Sequence, residues 1–213
     1  MEIEHFKIYK EFGPSILRVK IPENIVKKLN EYVEKTIFDK NKSDKLSLGE
    51  KLVGDVTQEF KLEKEFMEKS GWGFFLGTCV AKWIKAETSK EISKFEIRNS
   101  WIIRQFKNEY NPIHWHDGHI SGAGFLKIPK ILGSHTQNKQ TKDYHGGNLQ
   151  LIHGTRMFLC KSNISIKPNV GDFYFFPNYL MHAVFPFKES NEERRSISFN
   201  ANIDENIYNV YGG

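Results

Sequence analysis

The segment Asn111–Gly122, NPIHWHDGHISG, carries His114, His116, Asp117 and His119 between a proline and two glycines. In an extended chain, side chains two residues apart share a face. His114 and His116 therefore project together, and Trp115 and Asp117 project the other way. Two neutral imidazoles at a strand end suit one divalent ion of the borderline class, such as Fe, Zn, Cu or Ni. A third donor must come from elsewhere in the chain. The best candidate is His182, which opens a strand after the Gly171–Asp172 turn, an aromatic run and Pro177 in GDFYFFPNYLMH.

Beyond His182 lies RRSISFN, beginning at Arg194. An inward alternation from Arg194 places Ser196, Ser198 and Asn200 on its face and Arg195, Ile197 and Phe199 on the other. A buried arginine with a serine two residues on suits a ligand carboxylate. The guanidinium offers two parallel charge-assisted bonds and the hydroxyl a third. A register one residue off would give that role to Arg195 instead. His119 follows Gly118 off the strand register and reads as an orienting or surface group. His145 and His153 read as structural, Trp101 and Trp115 as core or pocket wall, and Arg156 in the hairpin-like HGTR as solvated.

These side chains need a scaffold that brings two distant segments together. From Arg98 onward the chain has a strand-like period, with NSWIIRQF, SGAGFLKI, NLQLIHG, MFLCKSN, NISIKP, GDFYFFP, HAVFPF and RSISFNANI separated by Gly, Pro, Asn and Asp. The first 98 residues read instead as helices. IPENIVKKLNEYVEKTIF has Pro22 in its first turn, TQEFKLEKEFMEKSG contains a shorter helix stopped by Gly71, and GFFLGTCVAKWIKAETSK forms a third. The expected fold is mainly β with N-terminal helices. It is a double-stranded β-helix (a cupin-like jelly roll) over residues 99–203, flanked by a helical layer over 1–98, in one domain of 1–213. The polar loop Gly133–Gly147 is long for a hairpin and reads as a lid.

Bulk properties narrow the function classes. A net charge of +5, with Lys and Glu interspersed, permits an anionic substrate or a nucleic acid without requiring either. Cys79 and Cys160 lie far apart without CxxC spacing, which argues against a disulfide framework and for a reducing cytoplasm. MEIEHFKIYK lacks a signal-peptide pattern, and no apolar run approaches the roughly 18 residues that would span a bilayer. A soluble cytoplasmic protein without membrane association is expected; oligomeric state is not legible.

Taken in order, H-x-(D or H), a strand, G-D-x-x-x-F-P-x-x-x-x-H and R-x-S resemble the 2-oxoglutarate/Fe(II)-dependent oxygenases. The nearest likeness is to the prolyl-4-hydroxylase-like bacterial and phage group, and it covers roughly Asn99–Ile203. The resemblance implies that His114, His116 and His182 hold Fe(II). Asp117 is the alternative to His116, because most of the class use a carboxylate in the first pair and a bulge beside Gly118 would turn Asp117 inward. It also implies that Arg194 and Ser196 bind the distal carboxylate of 2-oxoglutarate, with Arg195 as the alternative to Arg194. The implied activity consumes O2 and 2-oxoglutarate, is stimulated by ascorbate, and hydroxylates a C–H bond with release of succinate and CO2. A peptide or protein residue, proline by analogy, is the leading substrate; a small metabolite is next and a nucleic-acid base ranks below both. Two rivals are a cupin-type three-histidine metalloenzyme without cosubstrate and a non-catalytic jelly-roll binding module. The usual cupin glutamate would fall at Ile120 or Ser121, and a binding module does not demand the His182-to-Arg194 arrangement.

Overall fold

The computed structural model describes residues 5–9, 13–49, 53–136 and 143–209. Two antiparallel sheets form the double-stranded β-helix. The larger runs β1 (Lys7–Tyr9), β2 (Ile16–Lys20), β9 (Asp172–Pro177), β6 (Ile120–Lys127), β11 (Arg194–Ile203), β4 (Phe95–Gln105) and β3 (Gln58–Lys61) in spatial order. The smaller runs β5 (Asn111–His114), β10 (Met181–Val184), β7 (Leu149–Ile152) and β8 (Asn163–Ile166). Helices α1 (Glu23–Phe38), α2 (Lys40–Leu46), α3 (Lys64–Ser70), α4 (Trp72–Thr88) and the short α5 (Glu205–Tyr208) complete the described elements.

Two apolar clusters follow from strand alternation. The outer face of the large sheet, with Leu17, Val19, Ile102, Phe173, Phe175, Ile197 and Phe199, is covered by Leu29 and Val33 of α1 and by Trp72, Phe75, Leu76, Cys79 and Val80 of α4. Between the sheets, Ile16, Phe125, Tyr174 and Phe176 meet Leu149, Leu151 and Ile166. Each large apolar side chain buried in this way contributes roughly 1.5–3 kcal/mol. The glycines of SGAGF are required by the outer layer. A Cβ at Gly122 would lie 2.6 Å from the Phe173 ring and 2.7 Å from the Phe199 ring, so only glycine lets those rings lie on the sheet. Trp72 is anchored by its indole N–H, which donates to Ser100 Oγ at 3.0 Å.

Two expectations change. The N-terminal third does not supply helices alone: β1, β2 and β3 extend both edges of the large sheet, and QEFK, expected near a helix, is β3. The sequence window mixed two periods there, and pairing with β4 decided the outcome. MFLCKSN is not a strand. β7 and β8 already pair with each other, so Met157–Cys160 forms a turn closed by the Cys160 N–H donating to the Met157 carbonyl at 3.1 Å. Phe158 and Leu159 are 92% exposed there. Part of the expected lid, residues 137–142, lies outside the described residues. Among the described residues, no helix is long and apolar enough to cross a membrane.

Candidate metal centre and ligand pocket

β5 and β10 pair in a register that sets His114 directly opposite His182, so two of the three predicted donors are a cross-strand pair. His116 lies just past the end of β5. Its backbone is held by Asn178: the His116 N–H donates to the Asn178 carbonyl at 3.1 Å, and Asn178 Nδ2 donates to the His116 carbonyl at 3.2 Å. The Tyr208 hydroxyl in turn donates to Asn178 Oδ1 at 3.2 Å. Gly118 follows with φ +95°, a left-handed turn where a side chain would be strained. The result is a cluster in which the ligand-capable atoms of His114, His116 and His182 all lie within 4.8 Å of one another.

Backbone carbonyls fix the tautomers. His114 Nδ1 lies 2.7 Å from the Pro112 carbonyl, and His182 Nδ1 lies 2.9 Å from the Leu180 carbonyl. A carbonyl only accepts, so both Nδ1 atoms carry the proton and both Nε2 lone pairs are left free. His116 Nε2 lies 3.0 Å from His182 Nε2, and Trp101 stands edge-on to the His116 ring at 5.3 Å. Burial holds all three rings neutral, and mutual repulsion adds to it at two of them. His116 is pushed down to about 3 by burial and then by His114. His182 is lowered by burial and by both neighbours, and His114 is lowered by burial against the opposing pull of the Pro112 carbonyl. Three neutral imidazoles whose ligand-capable nitrogens gather within 4.8 Å of one another form a donor set that fits Fe(II).

Asp117 is exposed, and among the described residues no hydrogen bond ties it to an imidazole. His119 is buried, but it faces away from the cluster: its Nδ1 accepts from the Ile203 N–H at 3.1 Å and its ring stacks on Tyr208 at 4.0 Å. His145 sits beside Ser165 at 2.9 Å, and neither it nor His153 lines the pocket. Arg156 is exposed.

The histidines open into a cavity of about 300 Å³ whose walls include Trp101, Phe125, Leu149, Arg194, Ser196, Ser198 and Asn200. The alternation expected for β11 is therefore present, with Arg194 on the pocket face. Arg194 is fully buried; its Nε donates to the Gly147 carbonyl at 2.9 Å, Nη1 approaches Ser196 Oγ at 3.4 Å, and the guanidinium lies 5.2 Å from the Phe125 ring centroid. No carboxylate pairs with it among the described residues. Burial alone lowers it to about 10, so it remains a cation at neutral pH. A buried cation without an anion is costly, and an anionic ligand would relieve the cost.

Residues 99–200 match the family described as "Putative 2OG-Fe(II) oxygenase". Over that span the chain is similar to the 2OG-Fe(II) oxygenases. Solved structures with a similar fold include a prolyl-4-hydroxylase from Pseudomonas putida (14% identity, TM-score 0.58, covering 87% of this chain and 91% of that one). A viral collagen prolyl hydroxylase from Paramecium Bursaria Chlorella virus-1, solved as its 2OG complex, has a TM-score of 0.51 at 13% identity, over 87% of this chain and 94% of that one. No curated protein matches the chain. An oxygenase of this family employs Fe(II), 2-oxoglutarate and O2. Glu59 and Asn111, which the sequence does not single out, also line this pocket. Their signal is weak, since Glu59 lies in a window whose helical and strand periods compete and Asn111 resembles an ordinary loop residue.

Proposed function

We propose that His114, His116 and His182 hold the iron, and that Arg194 and Ser196 receive the distal carboxylate of 2-oxoglutarate. The observation that carries this reading is one cavity lined by three neutral, converging imidazoles and by a buried guanidinium that, among the described residues, lacks an anion. When bound, iron, 2-oxoglutarate and O2 supply the oxidation of a substrate C–H to C–OH, with succinate and CO2 as coproducts. The chain's own residues bind and orient. The Pro112 and Leu180 carbonyls hold two imidazoles in the ligating tautomer, Asn178 sets the backbone of His116, and Arg194 gives the cosubstrate a charged, directional anchor. Phe125, Leu149 and Trp101 exclude water from that anchor.

We further propose that the substrate is a residue of a peptide or protein, with proline first by analogy with the hydroxylases named above, or a small molecule. Residues 1–98 and 99–203 act as one domain, which is supported by β1, β2 and β3 lying in the same sheet as β11. The test is succinate release from 2-oxoglutarate with Fe(II) and ascorbate, followed by a screen of prolyl peptides and free amino acids. Iron binding without any 2-oxoglutarate dependence would overturn the reading in favour of a cupin-type enzyme.

A further inference from the structure

The same cavity has a second unpaired group. Glu59 on β3 is only 2% exposed, and strand alternation turns it to the pocket face opposite Ile103 while Phe60 enters the helix-side core. Its neighbour Gln58 is satisfied internally: Gln58 Nε2 donates to Ser43 Oγ at 2.6 Å, and Arg104 donates to Gln58 Oε1 at 2.8 Å. Glu59 is not. Among the described residues its Oε2 has no hydrogen-bond partner, and neither has the buried Oδ1 of Asn111. The two side chains meet over Gly54, where an added Cβ would collide with Asn111 Oδ1 and lie 3.0 Å from Glu59 Oε1. Gly54 thus lets the two acceptors come close to each other against the backbone of the pocket wall.

Resting on the oxygenase reading above, we infer that the pocket takes a substrate bearing a protonated amine or a guanidinium, held by Glu59 and Asn111 while its reactive carbon faces the histidine cluster. Ammonium and guanidinium groups only donate, and the wall around Gly54 offers acceptors that lack donors. Buried oxygens left in this state are rare in folded proteins and costly, so a ligand that satisfies them gains strongly. The effect of burial on Glu59 agrees: with no partner to oppose it, the carboxyl is pushed up to about 7. Arg194 and Glu59 would then divide the cavity's ligands by charge, the arginine taking the acid and the glutamate the amine.

The test is calorimetric titration of the full chain with butylammonium, free L-proline and Nα-acetyl-L-lysine amide, using butanol as the neutral control. L-proline reports an α-ammonium and the blocked lysine a side-chain ammonium. Binding of at least one cationic probe, a preference for it over butanol, and a loss of about 10–100-fold in Glu59→Gln are expected. Glu59→Asp, which keeps the charge on a shorter stem, should recover part of the loss. Equal binding of butanol, no binding of any cation, or an unchanged affinity in Glu59→Gln would overturn the inference. Substrate-free succinate formation by the wild-type chain involves no amine. Its absence would count against the oxygenase reading separately.

Discussion

β11 shows the two sides of this molecule on consecutive residues. Arg194 and Arg195 are each 1% exposed, yet their surroundings are opposite. Arg195 faces the helical layer, where its Nε donates to Glu193 at 2.7 Å, Nη2 to Glu34 at 2.7 Å and Nη1 to Asn30 at 2.9 Å. Burial works to lower its pKa, but Glu193 and Glu34 outweigh that and raise it. Arg194 faces the cavity, has no acid beside it among the described residues, and is lowered. One face of the sheet has its charges paired and its apolar groups packed. The other keeps a cation and a carboxyl unmatched among the described residues, facing the three imidazoles that the smaller sheet brings to the same cavity. Groups left without partners at a cost to the free protein mark a place where a ligand completes the structure.

The largest separation is expected at the metal centre. His116→Ala should lose Fe(II) almost completely in an anaerobic titration, while Asp117→Ala should weaken it by no more than about 10–100-fold. Retention in the first with loss in the second would transfer the ligand role to Asp117. The two arginines should then differ in kind. Arg194→Met should weaken 2-oxoglutarate binding by about 2–4 kcal/mol, since a buried carboxylate is left unpaired, with little change in the urea midpoint. Arg195→Met should do the reverse. Its removal leaves Glu193 with Arg104 alone, so stability should fall by about 2–3 kcal/mol while 2-oxoglutarate binding of the folded protein is preserved.

A last effect sharpens the contrast, because it should stabilise. In the folded protein the Glu59 carboxyl stays protonated up to about pH 7, against 4.5 as its ordinary value. Between those values the folded chain holds the extra proton, so stability falls as pH rises from 4.5 to 7 and stays lower above 7. Glu59→Gln should therefore be more stable than wild type by about 3 kcal/mol at pH 8.5, and the gain should vanish at pH 4. Urea denaturation at both values measures it. An equal midpoint at pH 8.5 would mean that Glu59 is satisfied after all.

Much of the candidate site's layout is legible in the sequence alone. Alternation along RRSISFN assigned Arg194 and Arg195 to opposite faces, and the i, i+2 spacing put His114 and His116 on one side. Both arguments use only the geometry of a single strand. What escaped was the contribution of the N-terminal third. TQEFK mixes two periods, and the apolar run in ILRVK reads as part of a helical region until a sheet edge is available to pair with it. MFLCKSN failed for the converse reason. Its residues favour a strand, but β7 and β8 had already taken each other, and a strand without a partner leaves its backbone groups unsatisfied.

The sequence by itself determined the family resemblance, the β-rich core behind a helical layer, and the faces of the strands that carry His114, His116 and Arg194. These rest on local periods and on motif order, which the chain states directly. Only the tertiary structure decided that His114 stands across from His182, that His116 rather than Asp117 points toward them, and that Glu59 enters the same cavity from an edge strand. Each of these depends on which remote segment pairs with which, and in what register. A strand's alternation fixes the two faces it offers but leaves its neighbour open, so the partner is settled only when the sheet closes.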